Sequence, residues 1–252
     1  AIILAKDYVG LKNLYKLISY AHLDYFFKKP RIPRHMYDQY SEGLILGSAC
    51  SEGELYQAIL LGKSEEEIEA IAKGYDYLEI QPIANNEYLV RQEQVPSKEY
   101  LQNICKRIVA LGTKFNKPVV ATGDVHYLNK EDKIYRKILL GSQGYQTQNG
   151  ELDLYYRTTD EMLSSFSYLP RDKAFEIVVT NTNMIADQIE DILPIPKGTF
   201  PPKIQGAEEE IREMTRNKAH ELYGDVLPVI VEKRLEKELD SIIGNGYAVL
   251  YL

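Results

Sequence analysis

The sequence predicts an α/β fold, with short strands joined by helices in a parallel sheet or barrel. Apolar runs at 2–5, 43–50, 77–80 and 119–121 alternate with longer segments whose apolar residues recur every three or four positions. Strands that alternate with helices indicate βαβ crossovers. A chain of 252 residues is long enough for one large domain, or for one domain and part of another.

The first elements are a strand at 2–5 and a helix whose apolar stripe runs from Leu11 to Tyr25. The segment 28–34 reads KKPRIPR and predicts a basic loop, because its prolines interrupt regular structure. The strand at 43–50 ends at Cys50. Ser51 and Glu54 then have the spacing of a capping box, which predicts a helix directly after that strand.

The middle of the chain continues the alternation. Ser64 and Glu67 form a second capping pair, and 77–80 predicts a short strand. A helix with 3-4-3-4 spacing follows at 101–115, and Lys117-Pro118 ends it before the strand at 119–121. Asn129 is the predicted N-cap of the next helix.

The last third predicts helices and one proline-rich connector. Residues 141–157 indicate a surface loop, Thr158 and Glu161 cap a helix, and a long helix follows at 175–189. The segment 193–206 contains four prolines, so we expect an extended linker. Two more helices and a strand at 247–252 follow. The predicted organisation is therefore 1–192, a linker at 193–206, and 207–252.

Composition excludes several classes of protein. The net charge is −7, so the chain does not bind nucleic acid through its overall charge. No apolar run reaches the roughly 18 residues of a membrane span, and two cysteines are too few for a disulfide framework, which predicts a cytoplasmic protein. The chain lacks an initial Met and stops within a predicted strand, so we expect a segment of a longer protein.

The segment 122–126 reads TGDVH and predicts a metal site. In an extended strand Asp124 and His126 would point to the same face, about 6–7 Å apart. Cys50, at another strand end, is the candidate third ligand. Active sites of such barrels lie at the C-terminal strand ends, and this set of donors suits zinc and tolerates manganese or iron.

Other interpretations of these residues stay open. His126 can be a hydrogen-bonded core histidine, and Cys50 a small buried hydrophobe or, with His126 as base, a nucleophile. Glu79 either faces the site or is a surface carboxylate. The loop at 28–34 either contacts phosphates or is simply solvated.

Four segments resemble the alpha subunit of bacterial DNA polymerase III, PolC type: 30–34, 42–50, 121–127 and 234–246. The resemblance covers the whole chain. It implies that 1–192 is the later part of a PHP domain, a partial distorted (β/α)7 barrel, and that 207–252 is a small, mainly helical start of the polymerase palm. It also implies metal ligands at Cys50, Asp124 and His126, binding zinc or manganese.

The same resemblance implies magnesium for nucleotidyl transfer in the whole protein. Its partners would be DNA, other replisome subunits and the remaining PHP and palm domains. The early H-x-H element, the exonuclease carboxylates and the palm aspartates are missing from this sequence. We therefore expect a scaffold with an incomplete metal site, inactive alone, which forms a homodimer if its last helices lack a partner.

Two rival interpretations remain. One is a free-standing, PHP-type metal-dependent phosphoesterase, which the missing H-x-H element disfavours. The other is a purely structural barrel packed against the palm, which the sequence does not distinguish from a scaffold with a metal site.

Overall fold

The computed structural model describes residues 1–144 and 152–252, and the chain folds as two compact units, Ala1–Pro194 and Ile195–Leu252. The predicted surface loop at 141–157 falls partly on residues outside the described ranges. Within those ranges, no helix is both long and apolar enough to cross a membrane.

Unit 1 is a mixture of short strands and helices in the alternating order that the sequence predicts. Its strands are β1 (Ile2–Ala5), β2 (Leu44–Gly47), β3 (Leu78–Ile80) and β4 (Val119–Ala121). Its helices are α1 (Tyr8–Leu23), α2 (Arg34–Gln39), α3 (Glu54–Leu60), α4 (Glu65–Lys73), α5 (Ile83–Arg91), α6 (Lys98–Phe115), α7 (Lys133–Ser142), α8 (Thr159–Ser165), α9 (Arg171–Phe175) and α10 (Asn181–Ala186). A π-helical turn, Glu176–Thr180, joins α9 to α10.

The strands pair in two short ladders. β3 and β4 are parallel, with Leu78 opposite Val119, as βαβ crossovers require. β1 and β2 are antiparallel, with Ile2 opposite Gly47, which corrects the expectation of an all-parallel sheet. One parallel bridge between Gly47 and Tyr77 connects the two ladders, so the described strands follow the order β1-β2-β3-β4.

The main core of unit 1 lies between β2, β3 and β4 and the helices packed on them. Ile68, Leu78, Leu101 and Phe166 are fully buried there. The capping boxes predicted at Ser64 and Thr158 both form, with each hydroxyl accepting from the backbone N–H three residues on. Local sequence and core packing therefore agree over these helices.

The end of unit 1 returns to its beginning. Tyr15 Oη donates to the carbonyl oxygen of Pro194, and the Leu193 amide donates to Tyr8 Oη over 3.2 Å. The amide of Glu190 donates to the Lys6 carbonyl oxygen over 2.7 Å, immediately after β1. These hydrogen bonds hold the last residues of unit 1 against its first strand and helix.

Unit 2 begins with an extended segment and contains three helices, α11 (Ala207–Tyr223), α12 (Val229–Gly244) and α13 (Ala248–Tyr251). Leu239 is 1% exposed among Ala207, Ile211 and Ala248, so this unit has a small core of its own. The prediction of a strand at residues 247–252 is wrong. Tyr247 instead precedes a short helix whose Ala248 packs into that core.

Candidate functional site

Two of the three predicted ligands, Cys50 and Asp124, lie along a cavity of about 450 Å³ on one face of the strands. Side chains that alternate along β1, β3 and β4 line it, because every second residue of a strand points to the same face. Its lining comprises Ile2, Leu4, Cys50, Tyr77, Glu79, Gln81, Val120, Thr122, Asp124, Thr182 and Ile185. The wall is apolar near β1 and polar at the carboxyl ends of β3 and β4, where the sequence predicts chemistry.

Cys50 reaches the cavity from a turn after β2. Ser48 is buried, and its Oγ accepts from the Glu79 amide over 2.9 Å, which ties this turn to β3. Ala49 then has φ +63°, a left-handed conformation that reverses the chain before Cys50. The thiol of Cys50 is half-buried and forms no disulfide.

The capping box predicted for Ser51 and Glu54 does not form. Helix α3 begins at Glu54 with Gly53 as its N-cap, so Ser51 lies too early in the chain to cap it. Ser51 Oγ instead lies 3.3 Å from Tyr88 Oη, and the Gly53 amide donates to the Cys50 carbonyl oxygen over 2.8 Å. The Cys50 backbone is therefore held by a turn and not by a helix terminus.

Glu79 is the most buried carboxylate at the cavity, with 6% of its surface exposed. Thr122 Oγ1 donates to its Oε1 over 2.6 Å, and Gln81 Nε2 donates to the same oxygen over 3.3 Å. Burial raises the pKa of Glu79 above its ordinary value, and the nearby charge of Asp124 acts in the same direction. The two hydrogen bonds partly oppose that rise because they favour the charged form.

Asp124 occupies a strained turn beyond β4. The strand ends at Ala121, and Asp124 has φ +50°, which a non-glycine residue adopts only where its surroundings hold it. Asn85 is one such support: it is 3% exposed, and its Nδ2 donates to the Gly123 carbonyl oxygen over 2.9 Å. The left-handed residue breaks the alternation on which the sequence prediction depends.

His126 consequently does not line the cavity with Asp124. Its Nδ1 lies 2.8 Å from the Asp124 carbonyl oxygen and 3.7 Å from Asp124 Oδ1. A carbonyl oxygen only accepts, so in this contact Nδ1 donates, and in the neutral form of the ring that tautomer has its lone pair on Nε2. Nε2 with a free lone pair, oriented by a backbone carbonyl, is the form in which histidine binds metals.

The described residues alone do not complete a metal site. Over residues 1–144 and 152–252, no group of three or more His, Cys, Asp and Glu side chains is arranged to hold a metal ion. Cys50 and Asp124 share the cavity, whereas His126 lies outside its lining. The assignment of these three residues as ligands stays a prediction, and the donors present fit part of a site.

Sequence reasoning leaves Glu79 undecided and does not identify Gln81 or Thr122. A signal for them is present in the sequence. Tyr77, Glu79 and Gln81 alternate along one predicted strand, and Thr122 and Asp124 along the next. Equal alternation on neighbouring strands predicts a shared face.

The first third of the chain is similar to a known domain family. Residues 1–83 match the model of the PHP domain, which covers β1 to β3 and includes Cys50 and Glu79. Asp124 and His126 lie beyond the matched residues. The match supports a mixed strand and helix PHP fold for the first third of the chain, whereas the complete barrel remains a proposal.

Three curated relatives align with the chain from end to end. Over its whole length the chain is similar to DNA polymerase III PolC-type. The Clostridium perfringens protein of that name is 55% identical over 251 residues, and those of Halalkalibacterium halodurans and Bacillus subtilis are 55% and 53% identical over 254 and 255 residues. Each alignment covers 100% of this chain but only 17–18% of the relative. The resemblance predicted from four short segments is confirmed.

Proposed function

We propose that this chain is a segment of a replicative DNA-directed DNA polymerase of the PolC type. The whole protein would join deoxynucleoside triphosphates to a primer end under template direction and would proofread in the 3′→5′ direction. The observation that carries the proposal is identity of 53–55% to three such polymerases across the complete chain. Identity at that level over the full length of the chain supports a shared fold and a shared role within the larger protein.

In this proposal the segment supplies scaffold and part of a PHP metal site. Unit 1 would be the later part of the PHP barrel, and unit 2 the first elements of the palm. The segment would contribute the Cys50 thiolate, the Asp124 carboxylate and His126 Nε2, and the rest of the PHP domain would contribute the remaining ligands. A zinc or manganese ion there would supply Lewis acidity or structural cross-linking, and magnesium would serve the separate polymerase centre.

The proposed partners follow from the same role. They are DNA, other replisome subunits and the remainder of the PHP and palm domains, in the bacterial cytoplasm and without a membrane. The isolated chain would form a homodimer through the predicted α12 stripe of Val231, Leu235, Leu239 and Ile242, although Leu239 is only 1% exposed and packs with Leu235 and Ile242 in the core of unit 2. Light scattering tests this directly, because a monomer at all concentrations contradicts it.

A chimera tests the proposed function. The matching segment of the Clostridium perfringens polymerase would be replaced by this chain, and primer extension would be measured on a primed single strand. We expect extension at a rate near that of the unmodified polymerase. The matched control is the same chimera with Ile68→Asp, which places a charge at a fully buried position and should abolish folding and extension together.

The isolated chain provides the complementary measurement. We expect neither primer extension nor 3′→5′ exonuclease activity from it, because the carboxylates for both reactions lie elsewhere in the whole protein. A soluble, folded chimera without extension would overturn the proposed function. Phosphoesterase activity of the isolated chain that His126→Ala abolishes would favour the free-standing PHP-type phosphoesterase instead.

A further inference from the structure

The segment between α1 and α2 exposes two adjacent aromatic side chains on the surface of unit 1. Phe26 is 56% exposed and Phe27 is 60% exposed. Phenylalanine side chains at these levels of exposure are costly to hydrate, and consecutive ones form a small apolar surface. We call residues 26–31 the aromatic-basic loop.

The backbone of this loop brings cations over one of the rings. The Phe27 amide donates to the Lys29 carbonyl oxygen over 3.2 Å, closing a tight turn in which Lys28 has φ +61°. Arg31 Cζ lies 4.9 Å and Lys28 Nζ lies 5.8 Å from the centre of the Phe27 ring. The ring and both cations therefore form one compact surface group.

The cations of the loop are not neutralised locally. In the described part of the chain, Lys28, Lys29 and Arg31 have no carboxylate within 4.0 Å, and all three are exposed. Arg34 differs, because it faces Glu54 at 3.7 Å and the Gly74 carbonyl oxygen at 3.4 Å. Residues 28–34 hold four cations and no acid in a chain whose net charge is −7.

The residues around the aromatic-basic loop include further aromatic rings and a further cation. The His22 ring lies 6.4 Å from Phe26, and Tyr20 and Tyr40 stack with centroids 5.8 Å apart. Lys16 Nζ lies 4.9 Å from the Tyr40 ring. Asp24 and Asp38 flank the loop along the chain, so the positive surface is local.

We propose that the aromatic-basic loop binds single-stranded DNA, an inference that rests on the proposed function and gives this segment a DNA contact of its own. The exposed Phe27 ring would stack on one base and Phe26 on the next. Lys28, Lys29 and Arg31 would contact the adjacent phosphates. Aromatic rings beside unpaired cations are the elements with which proteins bind single strands.

Single-stranded DNA fits this surface better than duplex DNA or an acidic polypeptide. A duplex stacks its bases internally and leaves no base face for Phe27. An acidic polypeptide would use the cations but would gain nothing specific from the exposed rings. Competition by each of these polymers is therefore part of the test.

The test measures fluorescence anisotropy of a labelled oligothymidylate of about 20 nucleotides with the complete 252-residue chain. The loop variant carries Phe27→Ala and Arg31→Gln together. It is compared with a control pair, Arg171→Gln and Phe175→Ala. The second pair has the same residue types four positions apart in unit 1, with Phe175 51% exposed, and removes the same charge. The conservative pair Phe27→Trp with Arg31→Lys provides a rescue.

We expect the loop variant to bind at least about 10-fold more weakly, since losing one stacked base costs about 5-fold or more and a phosphate contact is lost as well. The slope of log affinity against log salt should fall by about 0.7 for the lost cation. The control pair and the rescue pair should bind as the unmodified chain does, and far-UV circular dichroism should be unchanged in all of them.

Equal affinity of the loop variant and the control pair would overturn the inference. Competition by duplex DNA or polyglutamate as strong as that by the single strand would also overturn it. If the chimera extends primers but the loop variant binds the oligonucleotide as tightly as the unmodified chain, this inference is refuted and the proposed function stands. Loss of binding in the loop variant, with a folded but inactive chimera, supports the DNA contact and refutes the polymerase assignment.

Discussion

Gly10→Ala should destabilise unit 1, although replacing a helical glycine by alanine usually stabilises a protein. In α1 the substitution alone would gain about 0.5–1 kcal/mol through lower unfolded-state entropy. A Cβ at Gly10, however, would lie 1.9 Å from the carbonyl oxygen of Gly43 and 2.6 Å from its carbonyl carbon. These are backbone atoms at the entry to β2, which cannot rotate away as a side chain can.

The expected cost follows from the size of this overlap. Ordinary contact begins near 3.4 Å, so α1 and the turn at Gly43 must separate by about 1.5 Å. Overpacking of this kind typically costs about 1–3 kcal/mol, which exceeds the gain from the helix. In a unit of about 190 residues, each kcal/mol corresponds to about 2–4 °C in the unfolding midpoint.

Gly141→Ala is the matched control. Gly141 lies in α7, is exposed, and has no atom within 4 Å of an added Cβ. The same substitution there should raise the midpoint slightly. Far-UV circular dichroism measures both midpoints, since the chain has no Trp. Hydrogen exchange should show opening of α1 in the Gly10 variant, and a midpoint raised equally by both substitutions would refute the reasoning.

Two further predictions concern the site. Glu79→Gln should flatten the pH dependence of the free energy of unfolding. Because the folded-state pKa of Glu79 lies above the ordinary 4.5, its contribution is complete below that value and is lost as pH rises through the folded-state pKa. Urea titrations at about pH 4 and pH 7 check this, and a pH-independent difference between the variant and the unmodified chain contradicts it. The purified chain should hold less than one zinc or manganese per molecule, since three candidate ligands are fewer than the four of a structural zinc site. Cys50→Ser and His126→Ala should lower that content in elemental analysis while His220→Gln leaves it unchanged, and two tightly held metals per chain would contradict the prediction.

Local signals predict most of the secondary structure. The capping boxes at Ser64 and Thr158 form because each helix begins directly after the predicted cap, whereas Ser51 fails because the chain turns after Cys50 and the helix begins only at Glu54. The sequence does not predict helix α5. Its buried face contains the polar residues Asn85 and Asn86, so apolar residues do not recur there every three or four positions. The side chain of Asn85 can be buried because it donates a hydrogen bond to Gly123, which lies 38 residues away in the sequence.

Strand direction and the chain end cannot be read from the same signals. The segment between β1 and β2 contains two helices, α1 and α2, and a segment of that length can bring the next strand back in either direction. Periodicity therefore does not orient the ladder that β1 and β2 share. The apolar run after Gly246 suits a strand, yet Ala248 packs with Ile211 and Leu239 in unit 2. Tertiary packing overrides propensity at both places.

At the candidate site the sequence predicts the position of some side chains and not of others. Placement of Cys50 and Asp124 on one cavity follows from strand ends alone. The position of His126 does not follow, because one residue with positive φ at Asp124 changes the direction of every side chain after it. Aspartate adopts that conformation more often than most residues, but only the contacts of the turn decide that it does so here.

The return of the last residues of unit 1 to its first helix has a mechanical consequence. The bonds at Tyr8, Tyr15 and Lys6 fasten residues 190–194 to the end of β1 and to α1. A pull on the chain at residue 195 would load these bonds first, before the ladder of β3 and β4 carries any force. Because Leu4 and Ile185 line the cavity on this side, separation of the end of the unit from β1 would reach the apolar wall of the cavity before its polar strand ends.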